Sequence, residues 1–449
     1  MEKRESFKSS FGLFAAAVGS AVGLGNIWRF PYIAGMNGGA AFILIYLICV
    51  AIIGLPVLLS EFIVGRKGKS NPIHSFKNLA PGERWYISGI LGVMAAFLIL
   101  SFYSVIAGWT LEYLVKAIGN QFVGKDVSEI GAMFESFISD PARPIFMQFI
   151  ILCITYYIVA NGIEKGIEKY SSLLVPALIV IIIILDIRAI TLPGAVEGIK
   201  FLFKPDFSKL NGKTILDALG HSFFSLSLGA GTMIAYGSYI GKEQKLGISA
   251  LNIALADTLI AILAGLAIFP VVFAFGIAPD SGPGLVFVTL PNVFPQIPGG
   301  YVFQVLFFLL LALAAITSTI SMLESVVCFG MDKFNMGRKK TALIAALLVF
   351  IVSIFASLSN GPLNYPILFG SNFLDFLDKL TANYFMTTGS LITVLFVGWR
   401  LDRKIIEEQL TNRGIVKAGY MGTYQFVARY ISPLAIIIVF LASVGLIGK

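Results

Sequence analysis

One stretch of the chain offers backbone chemistry where a membrane helix would offer none. It reads Gly19-Ser20-Ala21-Val22-Gly23-Leu24-Gly25-Asn26-Ile27-Trp28-Arg29-Phe30-Pro31, inside an otherwise apolar segment. Glycine costs about 1 kcal/mol in a helix interior, and an unpaired backbone group in hydrocarbon costs several kcal/mol. Such a stretch persists only if its freed groups bind something. Free carbonyls suit a hard cation; free amides at a helix start suit a carboxylate. The run predicts a binding site at mid-membrane depth, and so transport.

A second irregular run, Ser225-Leu226-Ser227-Leu228-Gly229-Ala230-Gly231, repeats the Gly-x-Gly of Gly23 and Gly25 five segments later. An odd offset inverts the second copy, and interrupted helices in corresponding positions of two halves point to a transporter site. Asp257, in Ala254-Leu255-Ala256-Asp257-Thr258, is a carboxylate inside a third apolar segment. An ionisable group at that depth is functional by default.

The elements that must position these groups are membrane helices. The chain has 449 residues, is 57% hydrophobic and only 13% charged, against about 25% charged in soluble domains. Spanning takes about 20 apolar residues. Eleven apolar segments answer to this: Phe11–Ala34, Ala40–Val64, Tyr86–Ile118, Pro144–Ala160, Ser171–Leu185, Ile215–Ile240, Gly247–Phe275, Val302–Gly330, Ala342–Leu358, Asn372–Trp399 and Phe426–Ile447. The first is not read as a cleaved signal, because glycines interrupt it and no cleavage pattern follows. Most Lys and Arg fall in the connections that are cytoplasmic if the N-terminus is, so the net charge of +8 marks orientation in a plasma membrane rather than nucleic-acid binding. The proline-rich outer connection Gly276–Gly300 is too apolar for a solvated loop and is expected to fold back as a lid. Cys49, Cys153 and Cys328 are expected to be buried small apolar residues, with no disulfide framework or zinc motif. His74 and His221 are too few for a metal cluster.

On these residues the chain resembles the neurotransmitter:sodium symporter family. The likeness spans essentially the whole chain. It rests on Gly19–Pro31, Asn37-Gly38-Gly39-Ala40-Ala41-Phe42, Gly54-Leu55-Pro56 with Glu61 and Gly65-Arg66, Phe223-Phe224-Ser225-Leu226-Ser227-Leu228-Gly229, Gly237-Ser238-Tyr239, and Ala264-Gly265 with Ile268-Phe269-Pro270. The resemblance implies an all-α integral membrane protein forming a single transporter domain over 1–449. It has eleven spans in a five-plus-five inverted repeat (11–186 and 214–399), with the first and sixth helices discontinuous and a peripheral helix at 426–447.

The resemblance also assigns sites. The Leu24 and Gly25 amides and the Tyr103 hydroxyl hold a substrate carboxylate, beside Ala21. Gly23 leaves room for it where the family's amine carriers have an aspartate. Ile99, Phe224, Ser227, Ala230, Ser318 and Met322 surround the substrate side chain, with Ala230 at a position held in the family by a bulky aromatic. These groups carry no charge, and a charged side chain would lie unpaired at low dielectric, so the expected substrate is a large apolar or aromatic amino acid. Two sodium sites follow. The first uses Ala21, Asn26 and Ser225, with Asp257 either a ligand or a neighbour. The second uses backbone carbonyls of Gly19, Val22 and Ala314 with the Thr317 and Ser318 hydroxyls. Asp257 predicts independence from chloride. Arg29 and Asp378 form the outer gate, with His221 hydrogen-bonded to one of them or merely packed. Arg4, Asp332 and Tyr239 form the inner gate. Glu61 caps the break in the sixth segment, and the Gly166 to Pro176 spacing lets the inner end of the fifth unwind.

The reading is a sodium-coupled amino-acid symporter working by alternating access, not an enzyme. Its partners are an amino acid, sodium ions and the bilayer, and the oligomeric state, a homodimer included, is left open. A proton-coupled carrier of the same fold would place a lysine in the fifth segment, and Ser171–Leu185 has none. A sensing receptor would carry a large soluble extension, whereas the longest cytoplasmic stretch is Arg400–Gln425.

Overall fold

Continuous Leu, Ile, Val and Phe runs leave the backbone only its own groups to bond with, and helices result. A computed structural model of the chain describes residues 5–277, 284–367 and 370–447, and all its regular elements among those residues are helical. We number the principal ones α1 (Ser10–Ala21 and Gly25–Met36), α2 (Ala40–Gly68), α3 (Tyr86–Ile118), α4 (Arg143–Ala160) and α5 (Ile163–Ile190). Next come α6 (Gly212–Ser225 and Thr232–Ser238), then α7 (Leu246–Ala274), α8 (Gly300–Phe334), α9 (Arg338–Leu358), α10 (Phe373–Arg400) and α11 (Met421–Ser443).

Among the described residues nine of these helices are long and apolar enough to cross a bilayer, and α1, bent by 51° at its break, makes ten. The expectation of eleven is not met by length and apolarity alone. The reason is α6, whose pieces of 14 and 7 residues are each too short.

Local sequence explains both breaks. The first half of α1 starts at Ser9, whose hydroxyl accepts from the Gly12 amide at 2.9 Å, and ends at Val22, which turns extended. A wide turn over Gly25–Arg29 then restarts it. In α6 the connection carries positive φ at Ser227 (54°), Gly229 (77°) and Gly231 (70°). Glycine takes that conformation without penalty, whereas a serine there costs about 1–2 kcal/mol. Something must hold Ser227, and its hydroxyl donates to the Ser20 carbonyl at 2.9 Å. The two breaks are therefore tied to each other.

The rest of the fold brackets them. The inner half of α1 packs against α5, α7 and α8, and the second half of α6 against α2, while α3 and α8 share the broadest contact. The fifth helix begins with a wide turn over Ile163–Glu168 and is not unwound. A Cβ on Gly166 would lie 2.0 Å from the Ile158 carbonyl oxygen, so that glycine permits the approach of α4. α11 is 28% buried over its most apolar window, the lowest value among the nine long apolar helices. Cys49 and Cys328 are buried as expected, but Cys153 is exposed on α4.

Candidate functional site

The two breaks meet α3, α8 and α10 around a cavity at the centre of the molecule. All six expected side-chain residues, Ile99, Phe224, Ser227, Ala230, Ser318 and Met322, line it, as do Ala21, Gly23, Gly25 and Tyr103. The Leu24 amide donates to the Tyr103 hydroxyl at 2.9 Å. Gly23 has no space for a side chain: a Cβ there would lie 2.4 Å from the Ser318 hydroxyl and 2.7 Å from that of Tyr103. A Cβ on Gly25 would lie 2.9 Å from the Phe224 ring.

Beside this pocket lies a polar knot. The Asn26 side-chain nitrogen approaches the Asp257 carboxylate at 2.8 Å, the Asp257 backbone carbonyl at 3.1 Å and the Ser225 hydroxyl at 3.3 Å. The Ser225 hydroxyl donates to the other Asp257 oxygen at 2.6 Å, which also receives the Tyr46 hydroxyl at 3.3 Å. Three oxygens thus converge on one end of a side-chain amide, in a fully buried site. Oxygens of this kind are the ligands a hard cation prefers.

A second cluster joins α1 to α8. The Ser318 hydroxyl lies 3.4 Å from the carbonyl oxygens of both Gly19 and Ser20. Thr317 donates to the Ala314 carbonyl at 2.9 Å, the ordinary back-bond of a helical threonine. A Cβ on Gly19 would lie 3.0 Å from the Thr317 Cβ, and Val22 is buried at the break.

On the side expected to face outward, the Arg29 guanidinium stacks over the Phe224 ring at 4.5 Å from its centre. Arg29 and Asp378 face one outer cavity without direct contact. Phe287, in the outer connection expected to act as a lid, packs on Trp28 at 5.8 Å and Trp109 at 6.1 Å between ring centres; 278–283 of that connection lie outside the described residues. Of the two alternatives for His221, the structure shows the packed one. His221 hydrogen-bonds neither Arg29 nor Asp378: both ring nitrogens are buried without a partner. The ring sits between Phe30 and Tyr46, 5.6 and 5.5 Å from their centres. The ring nevertheless lines one cavity with Arg29.

Glu61 is where expected, its carboxylate accepting from the Gly229 amide at 2.7 Å at the α6 break. At the expected inner gate Arg4 lies outside the described residues, so its pairing with Asp332 is not described. Asp332 accepts from the Asn71 amide and side chain at 3.0 and 2.8 Å. Neighbouring His74 is held below its ordinary pKa by burial and by Lys77, which suits its short contact of 2.7 Å with the Asn71 side chain. The Tyr239 hydroxyl donates to Glu324 at 2.6 Å, and Arg338 pairs with the same carboxylate at 2.6 Å. Glu5 joins Arg338 at 3.3 Å.

Several site residues escaped sequence reasoning. Glu324 carried a legible signal, since the rule that singled out Asp257 applies equally to a carboxylate in α8. Tyr46, Thr232 and Met386 carried none, because aromatics, threonine and methionine are ordinary in apolar helices.

Comparisons with known proteins show what the chain is similar to. The family model described as "Sodium:neurotransmitter symporter family" matches residues 4–135 and 119–447. The chain is similar to an uncharacterized sodium-dependent transporter, YhdH, of Bacillus subtilis, 41% identical over 447 residues that cover 100% of this chain and 99% of that one. It is also similar to an uncharacterized sodium-dependent transporter of Haemophilus influenzae, 33% identical, with 98% of each chain covered. Among solved structures, MhsT in complex with L-phenylalanine superposes with a TM-score of 0.90 at 44% identity, over 98% of this chain and 100% of that one.

Proposed function

The chain belongs to the sodium:neurotransmitter symporter family, and on that premise we propose that it imports a large apolar or aromatic amino acid together with sodium, without need of chloride. It is a multi-pass membrane transporter and not an enzyme. One observation carries the substrate reading. The Leu24 amide and Tyr103 hydroxyl meet at 2.9 Å, at the edge of a pocket that Ile99, Phe224, Ala230 and Met322 line without a charge. Two donors for a carboxylate stand beside walls suited to an apolar side chain. The capture of MhsT with L-phenylalanine supports the same class.

Sodium is co-substrate here. The oxygens of Ser225 and Asp257 that gather on Asn26 form the donor set a hard cation prefers, and with the Ala21 carbonyl and the bound carboxylate they make the first site. The Gly19, Val22 and Ala314 carbonyls with Thr317 and Ser318 make the second. A shared carboxylate makes ion and amino acid bind as one. The buried Asp257 charge, held by Ser225 and Tyr46, takes the place of chloride.

In this reading α6 completes eleven spans, α1–α5 and α6–α10 are inverted repeats (11–186 and 214–399), α11 is peripheral and the N-terminus is cytoplasmic. Two broken helices tied through Ser227 and Ser20 support it. The bundle of α1, α2, α6 and α7 rocks against the rest; Arg29 and Asp378 close the outside, and Asp332 and Tyr239 the inside, together with Arg4. Binding of labelled L-phenylalanine to purified protein tests the substrate class: it should require sodium and be displaced by tryptophan, tyrosine and leucine. Stronger displacement by glycine would overturn it.

A further inference from the structure

A second cavity lies directly behind the central pocket, between α6, α10 and α11. Its volume is about 330 Å³, against about 30 Å³ in the central pocket. Two side chains face both, Phe224 and Met386, and they form the wall between them.

These two walls differ in freedom. The Arg29 guanidinium covers Phe224 at 4.5 Å, and Gly25 leaves no slack beneath it, since even a Cβ added to Gly25 would lie 2.9 Å from the ring. Met386 is buried, and its backbone is held in place. Its carbonyl oxygen lies 2.1 Å from where a Gly229 Cβ would be, so α10 is locked against the α6 break. The backbone there is also widened into a π-helical turn over Leu380–Met386, a feature often found at functional sites. The Met386 side chain itself is unbranched, with three rotatable bonds, and meets the small residue Ala230 across the pocket. Methionine adapts to the shape presented to it.

We propose that Met386 is a specificity-determining residue, a movable plug that lets a long apolar side chain extend from the central pocket into the cavity between α6, α10 and α11. The cavity wall beyond the plug is mixed: Arg29, Lys213, Asp217 and His221 line part of it, and Leu216, Phe223, Val439 and Ala442 supply an apolar part that can receive the end of such a chain. The inference rests on the amino-acid reading above and deepens it, because it makes the accepted length a property of one side chain rather than of the pocket's own volume.

The test is a homologous series, norvaline, norleucine, 2-aminoheptanoate and 2-aminooctanoate, competing with labelled L-phenylalanine on the full-length protein at saturating sodium. Each methylene that leaves water for apolar surroundings gains about fourfold in affinity. In the unaltered protein the gain should continue past norleucine. Met386→Phe puts a stiff ring in the opening, and its penalty should grow along the series, about tenfold or more larger for 2-aminooctanoate than for norvaline. Met386→Ala should keep the long members. A cut-off after norvaline in the unaltered protein overturns the plug and needs no variant. So does a Met386→Phe profile parallel to that of the unaltered protein. Absence of any sodium-dependent binding overturns the amino-acid reading and the plug together, which separates the two failures.

Discussion

The Asn26 side-chain nitrogen lies 2.8 Å from the carboxylate of Asp257, 231 residues along the chain. The contact joins the break in α1 to the middle of α7 and leaves a negative charge beside the first expected sodium. Uptake should therefore be the same in chloride and in gluconate. Asp257→Asn removes the charge and should make uptake depend on chloride or abolish it. Loss of uptake by the unaltered protein when gluconate replaces chloride would refute this.

Gly23 faces two hydroxyls at distances no side chain tolerates, 2.4 Å to Ser318 and 2.7 Å to Tyr103. Gly23→Ala should push the Tyr103 hydroxyl off the Leu24 amide and weaken amino-acid binding about tenfold, the equivalent of about 1.4 kcal/mol. Equilibrium binding of L-phenylalanine to the variant measures it, and an unchanged affinity would count against a carboxylate site at this point.

Glu61 holds the Gly229 amide at 2.7 Å in a fully buried position. Glu61→Ala leaves that amide without a partner and should cost about 1–3 kcal/mol. Glu61→Gln keeps an acceptor and should cost less. Thermal unfolding of the two variants in detergent ranks them; equal losses would show that the charge, not the hydrogen bond, is what matters.

Arg338 reaches two carboxylates of different worth. Glu324 is fully buried at 2.6 Å, while Glu5 is about half exposed at 3.3 Å. Arg338→Ala strands the buried Glu324 charge and should destabilise by about 3–5 kcal/mol, whereas Glu5→Gln should cost about 1 kcal/mol or less. Unfolding measurements on both variants would expose a reversed order.

Much of this was legible in the residues. The extent of α3, Tyr86–Ile118, follows from one unbroken apolar run, and the breaks in α1 and α6 follow from glycines that no stable helix would place there. Contacts local to those breaks were also legible, such as Glu61 with Gly229. What stayed hidden depends on packing between distant elements. For His221 the sequence left a gate hydrogen bond and simple packing both open, and the choice is made by Phe30 and Tyr46, from two other helices, which flank its ring. Met386 borders the pocket only because α10 locks against Gly229. The strained conformation of Ser227 has no signal of its own and is explained by Ser20, a residue of the other break.

The central claim is that a sodium gradient drives the accumulation of an amino acid. Purified protein in liposomes, with sodium outside and potassium inside, measures it most directly with labelled L-phenylalanine. The account predicts accumulation above the external concentration, lost when a sodium ionophore collapses the gradient. Uptake that is the same with potassium or choline in place of sodium would contradict it.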